Sequence, residues 1–260
     1  MKWPELMLLV RHDVSAYNVL KSLKAKSKLY QTFLTEFKQN PESETTQALA
    51  KAVQAQFALG VGDAKTPLRD LEAKRAREVG AALWDRYGDA LPHIIFVSPY
   101  ERTRNTLAGL IRGWPGLEHV RVIEDERIRE QEHGLALLYN DWRVFHAIHP
   151  EQGKLYQLEG RYWYRYPQGE SVPDVRERNR SWMNTVVRDF AEQRILAVTH
   201  HLNILGIRAN LERWDADDFI GVDEHDKPIN CGVTAYKGDP TKGKDGRFGL
   251  EYYNHRLYKE

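Results

Sequence analysis

Two short apolar runs in this chain end on a histidine. Leu8-Leu9-Val10 leads into Arg11-His12, and Ile195-Leu196-Ala197-Val198-Thr199 leads into His200-His201. A third run, Ile94-Ile95-Phe96-Val97, ends at Ser98-Pro99, and Arg102 follows within one helical turn. A neutral imidazole is a nucleophile. A guanidinium offers a fixed fork of donors that matches phosphate oxygens. The start of a helix adds partial positive charge. Such groups gathered at one place would act on an anion, most readily a phosphoryl group.

For them to gather, the three runs must be neighbouring parallel strands, because open α/β sheets hold ligands at the carboxyl ends of their strands. The pattern along the chain supports this. Leu6–Val10, Ile94–Val97, Val120–Ile123 and Ile195–Val198 are short, apolar and bounded by polar residues, as buried strands are. Helical periodicity fills 71–87, 102–111, 135–149, 175–190 and 202–211. Val233–Tyr236 and Leu250–Tyr253 read as paired strands joined by a turn at 242–246. Arg104 competes with Arg102, but it points roughly 200° away around a helix, so only one of the two faces the site.

The expected fold class is therefore α/β: a three-layer α/β/α domain spanning 1–260, with a mainly parallel central sheet. After the first strand, lysines interleave with leucines, and Phe33, Leu34 and Phe37 recur at helical spacing. This predicts a helical insertion at about 19–62 whose lysines form a solvated face. Residues 150–169 read as an irregular stretch. Tyr156, Tyr162, Trp163, Tyr164 and Tyr166 are expected there as a half-buried lid.

With a formal net charge of +1 over 260 residues, a nucleic-acid partner is not expected. Any anion site must be a local concentration of arginine. The single cysteine, Cys231, forms no internal disulfide and reads as a buried small residue. Pro4 and Glu5 interrupt the only apolar run near the start, so neither a signal peptide nor a membrane span is expected. The composition predicts a cytoplasmic protein.

The residues resemble one family. Arg11-His12-Asp13-Val14-Ser15 with Asn18 is similar to the Arg-His-Gly-Glu-Ser motif of the histidine phosphatase superfamily. That superfamily includes cofactor-dependent phosphoglycerate mutases and fructose-2,6-bisphosphatases. Ser98-Pro99-Tyr100-Glu101-Arg102 with Thr106 resembles its Ser-Pro-Leu-x-Arg motif, and Arg129-Glu130-Gln131-Glu132-His133-Gly134 its acidic segment. Tyr164-Arg165-Tyr166-Pro167-Gln168-Gly169-Glu170-Ser171 is similar to a stretch of fructose-2,6-bisphosphatases and broad-specificity phosphatases. Val198-Thr199-His200 resembles the second histidine motif, and Asn230-Cys231-Gly232-Val233-Thr234 the closing segment. These matches run in family order.

The resemblance implies a phosphomonoester hydrolase in which His12 is the nucleophile and becomes a phosphohistidine. A mutase or a weakly active phosphate-binding module would be the alternatives. Arg11, Arg102 and His200 would hold the phosphoryl group, with Ser15, Asn18 and His201 in the substrate-binding set. Glu130 would protonate the leaving oxygen and then help activate water. No metal or cofactor is implied, and the expected partner is a small phosphorylated substrate. Two residues depart from the pattern: Asp13 and His201 stand where glycine is usual. Asp13 is expected to pair with a cation such as a lysine of the insertion. His146 and His149, three apart on a helix, are read as structural rather than metal-binding. His133 is read as an entrance residue near Glu130.

Overall fold

The computed structural model describes residues 2–259 and divides the chain into two compact units. The first holds 2–15, 67–130 and 174–259; the second holds 16–66 and 131–173.

The first unit is built on six strands: β1 (Leu6–Arg11), β2 (Ile94–Val97), β3 (Val122–Glu124), β4 (Arg194–Thr199), β5 (Val233–Asp239) and β6 (Arg247–His255). Their order in the sheet is β3-β2-β4-β1-β5-β6. The first four in that order run parallel. β5 and β6 close the edge as an antiparallel pair. Both faces of β1, β2 and β4 are covered, which is why those strands read as unbroken apolar runs, whereas β3, expected to be a buried strand, is mostly exposed at the sheet edge. Successive strand residues point to opposite faces. Leu8 and Val10 pack with Ala76, Val79 and Leu83 of α4 (Lys74–Tyr87) and Leu107 and Leu110 of α5 (Glu101–Gly113). Met7 and Leu9 pack on the other face with Trp182 and Val186 of α8 (Val172–Asp189) and Ile204 and Ile207 of α9 (His201–Glu212). This is the expected three-layer architecture. One further helix, α10 (Ala216–His225), was not foreseen; Asp215 and Asp218 form its capping box.

The second unit is helical. The stretch after β1 forms α1 (Ala16–Lys26), α2 (Lys28–Gln39) and α3 (Glu44–Gln56). These do not stand alone. Tyr30, Phe33, Ala50 and Val53 share a core with Val144 and Ala147 of α6 (Trp142–Ile148). The lysine face is not uniformly solvated. Lys24 is buried and sits 2.8 Å from the equally buried Asp141, which also accepts a hydrogen bond from Tyr30 at 2.5 Å.

Three expectations need correction here. Residues 135–149 are not one helix but a 3₁₀ segment, Gly134–Tyr139, followed by α6. Residues 150–169 are irregular only from 164 onward: Pro150–Trp163 is α7, with a break at Gly160 (φ 77°). Pro150 starts the helix at a position where its missing N–H costs nothing. The tyrosines are not a half-buried lid either. Tyr162, Tyr164 and Tyr166 are buried, Tyr164 and Tyr166 with Phe145, while Trp163 is exposed and Tyr156 alone is half-buried as expected.

Among the described residues, no helix is long and apolar enough to cross a membrane.

Candidate active site

Register brings the two histidines together. Arg11 pairs with Thr199 across β1 and β4, and the His12 N–H donates to the Thr199 carbonyl at 2.9 Å. The next side chains along, His12 and His200, therefore leave adjacent strand ends, and their ring centroids lie 5.3 Å apart. β2 lies on the other side of β4, with Val97 opposite Val198, so Ser98 and α5 arrive at the same end. His12, Arg102 and His200 are all buried.

Each ring is held by one nitrogen. His12 Nδ1 lies 2.6 Å from the Asp13 carbonyl oxygen. A carbonyl only accepts, so Nδ1 carries the proton and Nε2 carries the lone pair. His200 Nε2 lies 2.8 Å from Ser98 Oγ. Its Nδ1 is buried without a hydrogen-bond partner.

The charge balance favours an anion. Arg11 donates through Nη1 to the Pro228 carbonyl at 2.7 Å, and its Nε is buried with no partner. The Arg102 guanidinium lies over the Tyr100 ring, 4.8 Å from its centroid. Arg104 is exposed and sits 3.5 Å from Glu124 instead. Burial first, then the charges of Arg102 and Arg11, keep His12 well below the usual histidine range. Burial and the Arg102 charge do the same for His200. Both rings are neutral at physiological pH.

Glu130 is half-buried. Its Oε1 accepts the Leu202 N–H at 3.1 Å, in the first turn of α9. Arg178 of α8 donates to its carbonyl at 3.1 Å. His201 is also in that first turn, 2.6 Å from the buried Asp223 of α10. Ser15 is buried, and its backbone bridges to Leu68. Asn18 lies in the first turn of α1, in the second unit. His133 is also in the second unit, its ring against Tyr166.

The loop that follows β1 is anchored by groups whose roles the sequence reading did not assign. The Asp13 N–H donates to Thr106 Oγ1 at 2.9 Å. Asn230 Nδ2 donates to the His12 and Asp13 carbonyls at 3.0 and 3.2 Å. Both residues belong to quoted motifs, which was the only signal for them. The expected pairing of Asp13 with a lysine is not observed. Its carboxylate accepts the Val14 N–H at 2.6 Å and bonds with the Cys231 thiol. Short-range donors satisfy it in place of a cation. Burial, with Asp13 beside it, pushes the Cys231 thiol well up, which suits a structural role. His146 is buried among aromatic rings, and burial lowers it to about 4. Among the described residues, no three His, Cys, Asp or Glu side chains cluster as a metal site.

Two motif segments meet within the second unit. Gly134 has φ 49°, and a Cβ there would lie 2.0 Å from the Pro167 carbonyl oxygen. That close approach explains why the acidic segment ends in glycine. A cavity of about 910 Å³ lies at the amino end of the sheet, between residues such as Trp3 and Trp214. It contains none of the motif residues.

Comparison with known proteins agrees with this geometry. Two Arabidopsis thaliana proteins, phosphoglycerate mutase-like AT74 and AT74H, are 29% and 30% identical over 182 and 175 residues. The matches cover 62% and 60% of this chain, and 53% and 60% of those relatives. The chain thus matches little more than half their length. A mycobacterial glucosyl-3-phosphoglycerate phosphatase shares the fold at TM-score 0.62 and 18% identity, with 97% of this chain and 98% of that one covered. The α-ribazole phosphatase of Shigella flexneri does so at TM-score 0.65 and 17% identity, with 98% of each covered. The sequence pattern of the histidine phosphatase superfamily (branch 1) matches residues 53–242, and the chain belongs to that superfamily.

Proposed function

We propose that this chain is a phosphomonoester hydrolase working through a covalent phosphohistidine on His12. One observation carries the reading: two buried polar atoms at the carboxyl end of the sheet, Arg11 Nε and His200 Nδ1, have no partner in the protein. Unsatisfied buried donors are costly, and a phosphoryl group would satisfy both.

In the first step, the His12 Nε2 lone pair attacks phosphorus and the bond to the ester oxygen breaks. Glu130 hands its proton to that oxygen, and the alcohol leaves. Arg11, Arg102 and His200 stabilise the charge spread over the equatorial oxygens. In the second step, water attacks the phosphohistidine and Glu130 takes the water's proton. The N–P bond breaks, and phosphate leaves with His12 neutral again. The Asp13 carbonyl supports both steps, because it holds the proton on Nδ1 and so keeps Nε2 aimed and basic. The two guanidinium groups supply the positive charge, so the reaction needs no metal. The substrate is a small phosphorylated metabolite.

Inorganic phosphate release from a panel of phosphomonoesters, measured in the presence of a chelator, tests this reading. Release that persists in chelator and vanishes in His12→Asn supports it. Transfer to a second hydroxyl in place of release would show a mutase. Dependence on added magnesium or zinc would contradict the metal-free mechanism.

A further inference from the structure

The segment that carries Glu130 has little regular structure to hold it. After β3 it makes a single 3₁₀ turn, Glu126–Ile128, and residues 129–130 belong to no helix or strand. Carbonyls at the end of such a turn have no partner within it. Side chains from the sheet and its covering helices supply the partners. Arg178 of α8 donates to the Arg127 and Glu130 carbonyls at 2.8 and 3.1 Å. Asn179, next along α8, donates to the Arg127 carbonyl at 3.1 Å. Thr199, the last residue of β4, donates through Oγ1 to the Ile128 carbonyl at 2.7 Å. The same oxygen lies 2.8 Å from Asn203 Oδ1 in α9.

Thr199 differs from the other anchors because it is tied to both sides of the site. Its carbonyl accepts the His12 N–H at 2.9 Å. Its hydroxyl holds the Ile128 carbonyl, two residues before Glu130. The rest of β4 between Ile195 and Val198 is apolar, and Thr199 is as fully buried as they are. A hydroxyl at such a position is costly unless it is hydrogen-bonded, and valine would fill the same space without one. A β-branched side chain has few rotamers, so the direction of the hydroxyl is fixed with the strand. His12 and the segment bearing Glu130 therefore hang from two ends of one rigid residue.

We propose that Thr199 is a positioning residue that sets the spacing between the proposed nucleophile, His12, and the proposed acid, Glu130. This rests on the hydrolase reading above. No bond is made or broken at Thr199; it acts through residues 127–130. An acid must lie within hydrogen-bond reach of the oxygen that it protonates, and a misplacement of about 1 Å can cost about 10²-fold in rate. Without the hydroxyl, Arg178 and Asn179 still hold the Arg127 and Glu130 carbonyls. The segment then stays folded, and the acid shifts from its best position. The loss falls on the step that needs the acid.

The test compares an alkyl phosphate (glycerol 3-phosphate, or the fastest of the panel above) with nitrophenyl phosphate, whose leaving group needs no acid. The quantity compared is kcat/KM, which reports the step in which the leaving group departs. Thr199→Val keeps the branched shape and suits a strand, and Thr199→Ala is a second variant without the hydroxyl; Thr199→Ser keeps it. Without the hydroxyl, kcat/KM for the alkyl phosphate is expected to fall about tenfold, the size of one hydrogen bond. For nitrophenyl phosphate the fall should stay below about threefold. Thr199→Ser should restore most of the loss. In a Glu130→Gln background, Thr199→Val should cost the alkyl phosphate nothing more, because residues acting through one another are not additive. Equal losses for the two compounds would make Thr199 a merely structural residue and overturn the proposal. So would an unchanged rate, or a full further loss in the double variant. Those three results leave the hydrolase reading standing. No phosphate release from any compound by the unaltered protein would overturn that reading, and the proposal with it.

Discussion

The loops after β1 and β4 each deliver a buried histidine to one place, yet they hold opposite nitrogens. After β1, a backbone carbonyl takes Nδ1 of His12 and leaves Nε2 with its lone pair. After β4, a serine hydroxyl takes Nε2 of His200 and leaves Nδ1 facing no protein group. The two residues are of the same type, in the same surroundings, with their rings 5.3 Å apart. Their hydrogen-bonding states differ because their partners differ. A carbonyl can only accept, so it leaves Nε2 of His12 with the lone pair that the proposed nucleophile needs. A hydroxyl can donate to Nε2 of His200, and the proton would then sit on Nδ1, ready for the proposed contact with an anion.

The largest expected effect breaks the β1 side of this comparison. His12→Asn keeps a polar side chain and removes the nucleophile. Steady-state phosphate release should fall by about 10⁴-fold or more, as it does when a covalent catalyst is removed, while the circular dichroism spectrum stays unchanged. If more than a few per cent of the rate remains, His12 is not the nucleophile. Next comes Glu130→Gln, which keeps the contact with Leu202 but has no acidic proton to give. General acid catalysis is worth about 10²–10⁴, so losses in that range are expected for alkyl phosphates. With nitrophenyl phosphate, whose leaving group departs unaided, the loss should be far smaller. Equal losses would move the acid role elsewhere.

The β4 side is tested more gently. Ser98→Ala removes the hydroxyl that contacts Nε2 of His200 but leaves the ring in place. A drop of about tenfold in kcat/KM is expected, the size of one hydrogen bond, and Ser98→Thr should restore most of it. An unchanged rate would mean that Ser98 does not set the role of His200.

Acid should also distinguish these loops from the rest of the chain. Both rings have folded-state values well below the 6.5 of a free histidine. The unfolded chain therefore binds more protons below pH 6.5, and the contribution of each ring to stability is lost as pH falls through that range. The slope is about 1.4 kcal/mol per pH unit for each ring. Thermal midpoints should decline below pH 6.5, and less steeply in His12→Asn; parallel declines would contradict buried neutral rings. The smallest effect belongs to Asp13→Gly. Its carboxylate bonds to the Val14 N–H and the Cys231 thiol, so catalytic efficiency should change by less than tenfold. A larger gain that shrinks in high salt would show that the carboxylate repels phosphate.

The strands β1, β2 and β4 were legible as apolar runs, and so was the convergence of Arg11, His12 and His200 at their carboxyl ends. Burial on both faces makes such runs continuous, and the switch to polar residues marks the strand end. The second unit was less legible. Its core joins residues near 30–53 to residues near 144–147, and pairings so distant in sequence leave no local trace. Pro150 opens the stretch read as irregular, yet it begins a helix, because proline either ends or starts a helix depending on which side the helix lies. Asp223 carried no signal at all. It lies in α10, a helix that the periodicity did not reveal, and only the fold brings it to His201.

The account rests on Nε2 of His12 being the atom that takes phosphate. Rapid quenching with labelled substrate, followed by peptide mapping and identification of the phosphohistidine isomer, measures this directly. The account predicts a base-stable, acid-labile label on the peptide containing His12, bonded through Nε2 and absent in His12→Asn. A label on His200, a label bonded through Nδ1, or one that survives the substitution would contradict it.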